Sequence, residues 1–228
     1  MTRAVPKPAS TSRAAGVSKT ASVSKSRTGR AVRLSKIEQA LPLQQRLVLV
    51  ATRLFAAQGY DATSVQQIVE AAGVTKGALY HHFTCKDDLL YEVYHHVLAE
   101  QTRRMEEIAD GPGDAAQRLA AVVGDVIASS VANLDELIVF FRSMHLLPDA
   151  QQKTVRAERR RYHLRVRRLV EEGQRAGVLT DQVPADLAVH FVYGAIHQIG
   201  TWYSDSGPLT ADEIAQHFER LVLAGLRP

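Results

Sequence analysis

The sequence predicts an all-α protein in which an N-terminal three-helix helix-turn-helix domain precedes a larger C-terminal helical domain. Three observations predict it. Apolar residues recur with helical period from Pro42 almost to the end of the chain. No segment shows the Val/Ile/Thr alternation of a strand. The breaks between segments fall at Gly, Pro and Asn residues, where helices end.

Before Pro42 lies a different kind of chain. Residues 1–40 hold nine Lys or Arg against one acid, Glu38, leaving 19 basic and 23 acidic residues for the rest of the chain's net +4. This Ser/Thr/Ala-rich segment has no apolar periodicity, so it is expected to be a disordered basic tail. It reads either as a solvated leader or as an arm that tracks phosphates. The body is slightly acidic, so any contact with nucleic acid must come from a local patch or from the tail. No run of 18 apolar residues suggests a membrane span, and no apolar leader suggests secretion. The single cysteine, Cys85, cannot form an internal disulfide and fits a reducing, cytoplasmic setting. With no resolving thiol it is read as inert.

The elements follow in order. Leu43, Leu47, Val50 and Leu54 form the stripe of a first helix that stops at Gly59. Ser64 is a good N-cap for 65–72, which closes at Gly73. A third short helix is expected over 75–82. A long one runs over 86–109, with Asp87 and Asp88 in its first turn as the helix dipole prefers. Gly111-Pro112-Gly113 is the clearest break. Five more helical segments are expected, over 114–131, 134–146, 149–176, 184–204 and 210–225; Thr210 with Glu213 offers a capping box for the last. The predicted organisation is a tail over 1–40, a helix-turn-helix domain over 41–88 and a helical domain over 89–228.

A helix-turn-helix presents the N-terminal residues of its second helix to base edges in the major groove. Gly73-Val74 supplies the turn, and Ile68, Val69, Leu79 and Phe83 share a core with Leu54 and Phe55. What remains outside suits a duplex. Ser64 can place a helix N-terminus on a phosphate. Thr75, Lys76, Gly77 and Ala78 offer a charged reader, a close-approach glycine and a methyl suited to thymine. Tyr80, His81, His82 and Lys86 can reach phosphates.

The residues between Leu47 and Leu90 carry a resemblance. They run Ala51-Thr52-Arg53-Leu54-Phe55-Ala56-Ala57-Gln58-Gly59-Tyr60, then Thr63-Ser64-Val65-Gln66-Gln67-Ile68 and Ala71-Ala72-Gly73-Val74. Gly77-Ala78-Leu79-Tyr80 follows, then Phe83, Lys86, Leu89 and Leu90. This string resembles the N-terminal domain of the tetracycline-repressor (TetR) family, departing from it at Cys85, where the family usually carries a polar residue. The resemblance implies DNA contacts from Ser64, Gln66, Gln67, Thr75, Lys76, Gly77, Tyr80, His81, His82 and Lys86. It also implies a homodimer on palindromic operator DNA and a small-molecule effector. The family's usual sign is repression relieved by ligand; activation and co-repression stay open.

In the body, 187–203 is apolar nearly all round and so requires a central position or a partner chain. Together with the stripe of the last helix, this makes Leu187, Phe191, Ala195, Trp202, Phe218, Leu221 and Val222 the expected dimer interface. An effector pocket is expected among the middle helices. Val126, Ile127, Leu137, Ile138, Phe140, Phe141, Met144, Leu146 and Leu147 would line it, and His145, Tyr162, His163, His190 and His197 would anchor the ligand. The run Arg156, Arg159, Arg160, Arg161, Arg165, Arg167 and Arg168 is read as a solvated, partly paired face, or as a dock for an anion such as an acyl-CoA. Some TetR-family members respond to acyl-CoA, so the resemblance supports an acyl-CoA or other lipid- or steroid-derived effector.

Other chemistries find no support in the pattern. No nucleophile elbow, phosphate loop, HExxH or paired-carboxylate arrangement points to an enzyme, so no catalytic residue and no cofactor is expected. The pairs His81-His82 and His95-His96 point about 100° apart on a helix and no Cys or carboxylate cluster completes a site, so no bound metal is expected in the chain. The remaining rivals are a helical enzyme and an interaction module that does not bind DNA. Ligand is expected to act through the long helix over 86–109, which joins both regions.

Overall fold

The computed structural model describes residues 34–228, and among them there is helix and loop but no strand. The first element, α1 (Lys36–Gln39), lies inside the segment expected to be disordered. Its Ser35 and Glu38 form a capping box, and Glu38 also accepts from the Arg53 guanidinium. Those local bonds order residues whose composition alone gave no reason for order. The rest of the expected basic tail, through residue 33, falls outside the described residues.

Three helices form the N-terminal domain. α2 (Leu43–Gln58) buries Leu47, Val50, Ala51 and Phe55 and ends at Gly59. α3 (Val65–Ala72) begins at a capping box between Ser64 and Gln67 and ends at Gly73, whose φ of 68° is left-handed and suits a residue without Cβ. α4 (Lys76–Tyr80) is capped by the Thr75 hydroxyl and is shorter than the expected 75–82. The chain leaves the helix after Tyr80 because Phe83 turns back to bury itself, 3% exposed, under the domain.

α5 (Lys86–Ala109) is the long helix. α6 (Ala115–Ala132) follows the Gly-Pro-Gly break with Asp114 and Gln117 as its capping box. α6 is 18 residues long and, by length and composition, apolar enough to cross a membrane, although Arg118 and Asp125 interrupt the apolar run. Its apolarity is that of a central helix, since Leu119, Val122, Val123, Val126 and Ile127 are buried among neighbouring helices.

The segment expected as one helix over 134–146 is α7 (Leu134–Arg142) and a 3₁₀ turn, Met144–Leu146, parted at the buried Ser143. α8 (Asp149–Arg175) is continuous. The expected 184–204 divides at Gln198 into α9 (Ala185–His197) and α10 (Ile199–Trp202). α11 (Ala211–Gly225) starts at the Thr210–Glu213 capping box and lies along α6.

Two hydrophobic clusters hold these elements. The first takes the buried faces of α2, α3 and α4 and continues through Val93, Tyr94, Val97 and Leu98 of α5 to Val139, Phe140, Leu147 and Val155. The second takes Met105 and Ala109 of α5 with α6, α8, α9 and α11. α5 thus belongs to both cores, and a boundary at residue 88 falls inside one helix. At its N-terminal end the Lys86 ammonium donates to the carbonyls of Tyr60 (2.9 Å) and Thr63 (3.0 Å). It lies 3.9 Å from the Tyr60 ring centroid, while the Tyr60 phenol bonds Asp87. The loop between α2 and α3 is therefore tied to α5 at both edges.

Candidate DNA-reading face and effector cavity

The turn between α3 and α4 leaves one polar face outside. Ser64, Gln66, Gln67, Thr75, Lys76, Gly77, Tyr80, His81 and His82 are exposed, and Ala78 is half-buried. They divide by what their side chains already do. Ser64 and Thr75 accept from the amides of Gln67 and Ala78. The Gln67 amide oxygen accepts from Ser64 and from Gln58, and Gln66 donates to Glu70. Lys86 is committed to the Tyr60 loop, so its charge sits at the edge of this face and its ammonium holds the frame. Lys76 and Tyr80 have no side-chain partner among the described residues and project freely from α4. A Cβ at Gly77 would meet only Thr75 Oγ1, at 3.8 Å, so nothing within the protein requires glycine there.

The second feature is a cavity of about 560 Å³ enclosed by α5, α6, α7, α8 and α9. Its apolar wall is Val97, Leu98, Val126, Leu137, Phe140, Phe141 and Ile196. Of the expected polar and aromatic positions, Phe141, Arg160, Tyr162, His163, His190 and His197 line it. Met144 and His145 do not: the 3₁₀ turn carries His145 outward to solvent and leaves Met144 behind Arg159, whose Nη1 lies 3.6 Å from its sulfur. Ile127, Ile138, Leu146 and Leu147 lie outside the lining as well.

The arginine run does not form one face, because helical periodicity distributes it. Arg165 pairs with Asp110, Arg167 Nε with Glu171 (2.7 Å), and Arg156 donates to Gln152 (2.9 Å). Arg159 instead follows Val155 by one turn and precedes Tyr162 by three residues, on the buried stripe of α8. Its guanidinium lies 5.4 Å and 5.8 Å from the Phe140 and Phe141 ring centroids and has no carboxylate partner among the described residues. Burial lowers its pKa from the ordinary arginine value, yet guanidinium stays charged. A charge held among aromatic rings without a counter-ion attracts an anion.

Neutral groups complete the lining. The Tyr193 phenol donates to Tyr162 (2.8 Å), and burial pushes both phenols up so that they stay protonated. His197 lies 4.2 Å from the Phe141 ring, and burial, with Arg159 nearby, pushes its pKa down to about 4, so it is a neutral imidazole. The Ser130 hydroxyl is buried without a hydrogen-bond partner among the described residues. Sequence reading missed Ser130, Tyr193 and Asp186. The stripe of Val155, Tyr162 and Val166 at helical spacing was the signal that could have placed Arg159 inside.

The expected dimer residues also separate. Leu187 (58% exposed), Phe191 (75%) and Ala195 follow one stripe of α9, about 100° round the helix from the buried Ala188, Val192 and Ile196. Trp202 and Leu221 are exposed, and Phe218 is half-buried against its own core. Val222 is not available to a partner: α11 turns it into the core beneath α6, where it is 6% exposed.

A helix-turn-helix face joined by one helix to a ligand-sized cavity defines a sensory DNA-binding protein. The family model described as "Bacterial regulatory proteins, tetR family" matches residues 47–93, and "Tetracyclin repressor-like, C-terminal domain" matches 112–226. The transcriptional repressor KstR2 of Mycolicibacterium smegmatis is 25% identical over 187 residues, covering 80% of this chain and 90% of the relative. The solved TetR/AcrR-family regulator of Thermobifida fusca is 32% identical, covers 81% of this chain and 98% of its own, and superposes with a TM-score of 0.66. AibR, solved in complex with isovaleryl coenzyme A and operator DNA, shares the fold at a TM-score of 0.72 and 20% identity, over 82% of this chain and 99% of its own. The chain belongs to the TetR family. It is a DNA-binding transcriptional regulator, and its partners are operator DNA, a second copy of itself and a small-molecule effector.

Proposed function

We propose that this regulator is a cytoplasmic repressor without enzymatic activity. As a homodimer it holds a palindromic operator, and an anionic, amphipathic effector, an acyl-CoA or another lipid- or steroid-derived acid, releases it. The observation that carries this reading is the Arg159 guanidinium, without a carboxylate partner among the described residues, in the wall of a largely apolar cavity. Such a lining suits a molecule with an apolar body and an acidic group, and Arg160 at the rim extends the charge toward solvent. The named repressor function of KstR2 supports the sign, and the AibR complex supports an acyl-CoA within this fold.

On the DNA side, Lys76 reads base edges, and Ser64, Gln66, Thr75, Tyr80, His81 and His82 position the duplex through phosphates. Gly77 and Ala78 allow close approach, Gln67 fixes the cap of α3, and Lys86 fixes the frame. The apolar stripe of Leu187, Phe191 and Ala195, with Trp202 and Leu221, pairs with its symmetry mate and sets two α4 helices across the duplex. Effector reaches α5 through Val97, Leu98 and Gln101, and α5 carries Lys86 and the α2–α3 loop with it.

The test is fluorescence anisotropy of the full chain on a labelled duplex from its own promoter region. Binding is expected to be tight and to weaken steeply with salt, and CoA esters of long-chain or steroid-derived acids should lower affinity. No response to those esters, alongside tight binding of an uncharged drug, overturns the effector class.

A further inference from the structure

We propose that His163, Asp186 and His190 bind a divalent transition-metal ion at the mouth of the cavity. α9 presents Asp186 and His190 one turn apart on one face, and α8 brings His163 against them. The ligating atoms all lie within 4.8 Å of one another. His163 Nε2 is 2.8 Å from one Asp186 oxygen, His190 Nε2 is 3.6 Å from the other, and the imidazole centroids are 4.6 Å apart. Two imidazoles thus aim the same ring nitrogen at one carboxylate. A hydrogen-bonded pair needs one of them; His190 has no other hydrogen-bond or ion-pair partner among the described residues.

Donors held about 2.1 Å from a tetrahedral ion sit roughly 3.4 Å apart. His163 and His190 approach different oxygens of Asp186, at 2.8 Å and 3.6 Å, and all the donors lie within 4.8 Å of one another, so side-chain rotations that bring both imidazoles toward one carboxylate oxygen make room for the ion. Two nitrogens and one oxygen favour zinc, nickel, cobalt or iron(II) over calcium and magnesium, which take oxygen. The three donors come from two helices on one side and also line the cavity, so a further coordination position faces the cavity. Arg160 and Arg167 line the same mouth, which favours an anionic ligand there, such as a carboxylate or thiolate. The metal site stands on these three side chains alone. Only the reading of that anionic ligand as the effector's acidic group rests on the function proposed above.

The test uses Co²⁺ as a spectroscopic probe on the full chain. One Co²⁺ per chain is expected, with visible ligand-field bands that Zn²⁺ displaces. His163→Ala and His190→Ala should each weaken Co²⁺ binding by about tenfold or more, and the double variant should abolish the bands. His190 is exposed and His163 is half-buried, outside both hydrophobic cores, and circular dichroism should show both variants folded. Absence of bands at millimolar Co²⁺, or equal binding by the double variant, overturns the site. A chain that binds Co²⁺ through these residues but no promoter DNA keeps the site and removes the function proposed above.

Discussion

The Tyr94 phenol donates to the Phe140 carbonyl at 2.7 Å while the two rings lie 4.9 Å apart. Tyr94 belongs to α5 and is fully buried, and its hydroxyl also donates to the Val139 carbonyl at 3.0 Å. Phe140 lines the effector cavity and belongs to the core of the DNA-reading domain. One contact therefore joins the cavity wall to the helix that carries the α2–α3 loop. Tyr94→Phe keeps the ring and removes the bond. It should cost about 1 kcal/mol, or ~2–4 °C in thermal unfolding. The more telling outcome is functional: promoter affinity without effector should hold, while the drop caused by effector shrinks. A full effector response in this variant removes Tyr94 from the coupling route.

Lys76 projects from α4 with no partner among the described residues, so its loss is not confounded by a structural role there. Lys76→Ala should leave the unfolding temperature unchanged. It should weaken binding to the promoter duplex by roughly 1–3 kcal/mol and narrow the gap between promoter and scrambled duplex. Lys86→Ala should behave differently, lowering thermal stability because two loop carbonyls lose their donor. Equal promoter affinity for the parent and the Lys76 variant would exclude Lys76 as a reader.

How far the sequence reached depended on the range of the signal. Ser64, Gly73 and Thr210 announce helix ends through bonds made within three or four residues, and those ends stand where the pattern placed them. The break at Ser143 and the shortened α4 were illegible because they answer to burial of Ser143 and Phe83 by distant helices. The same distinction holds in the cavity. Tyr162, His163 and His197 were found by residue type, as hydrogen-bonding rings beside apolar positions, whereas the meeting of His163 with Asp186 and His190 depends on how α8 crosses α9. Arg159 was hidden by its neighbours: within a dense arginine run, composition suggests solvent, and only its phase with Val155 and Tyr162 shows otherwise.

Arg159 is half-buried with no carboxylate partner among the described residues, and such a cation is a stability cost retained for binding. Arg159→Met keeps the aliphatic stem against Phe140 and Phe141 without the charge, and should unfold at the same temperature as the parent or higher. Affinity for an acyl-CoA should fall by roughly 1.5–3 kcal/mol, the range of a hydrogen bond to a charged group. Calorimetry on both proteins measures it. A destabilised variant with unchanged ligand affinity would make Arg159 a packing residue.

His197 gives the fold a dependence on acid. Its pKa falls from an ordinary 6.5 to about 4 in the folded chain, chiefly through burial. Between those values the unfolded chain holds a proton that the folded chain does not. The contribution of His197 is thus fully present above about pH 6.5, is lost as pH drops toward about 4, and levels off below. Urea unfolding at a series of pH values, on the parent and on His197→Phe, isolates it: the difference between the two should change across that window and be flat outside it. A constant difference throughout would mean that His197 keeps its ordinary pKa in the folded chain.

The exposed stripe of α9 makes a prediction about assembly. Phe191 is 75% exposed and Leu187 58%, four residues apart on the same face. Burying an aromatic side chain of this kind contributes about 2 kcal/mol, counted once from each protomer in a two-fold interface. Phe191→Glu replaces that gain with two like charges facing one another across the axis. Sedimentation should find the variant as a monomer at micromolar concentration, with helix content unchanged because Phe191 makes little of its own chain's core. Promoter affinity should fall with it, since one α4 reads only half of a palindrome. A variant that remains dimeric and binds the promoter like the parent would place the interface elsewhere on the body.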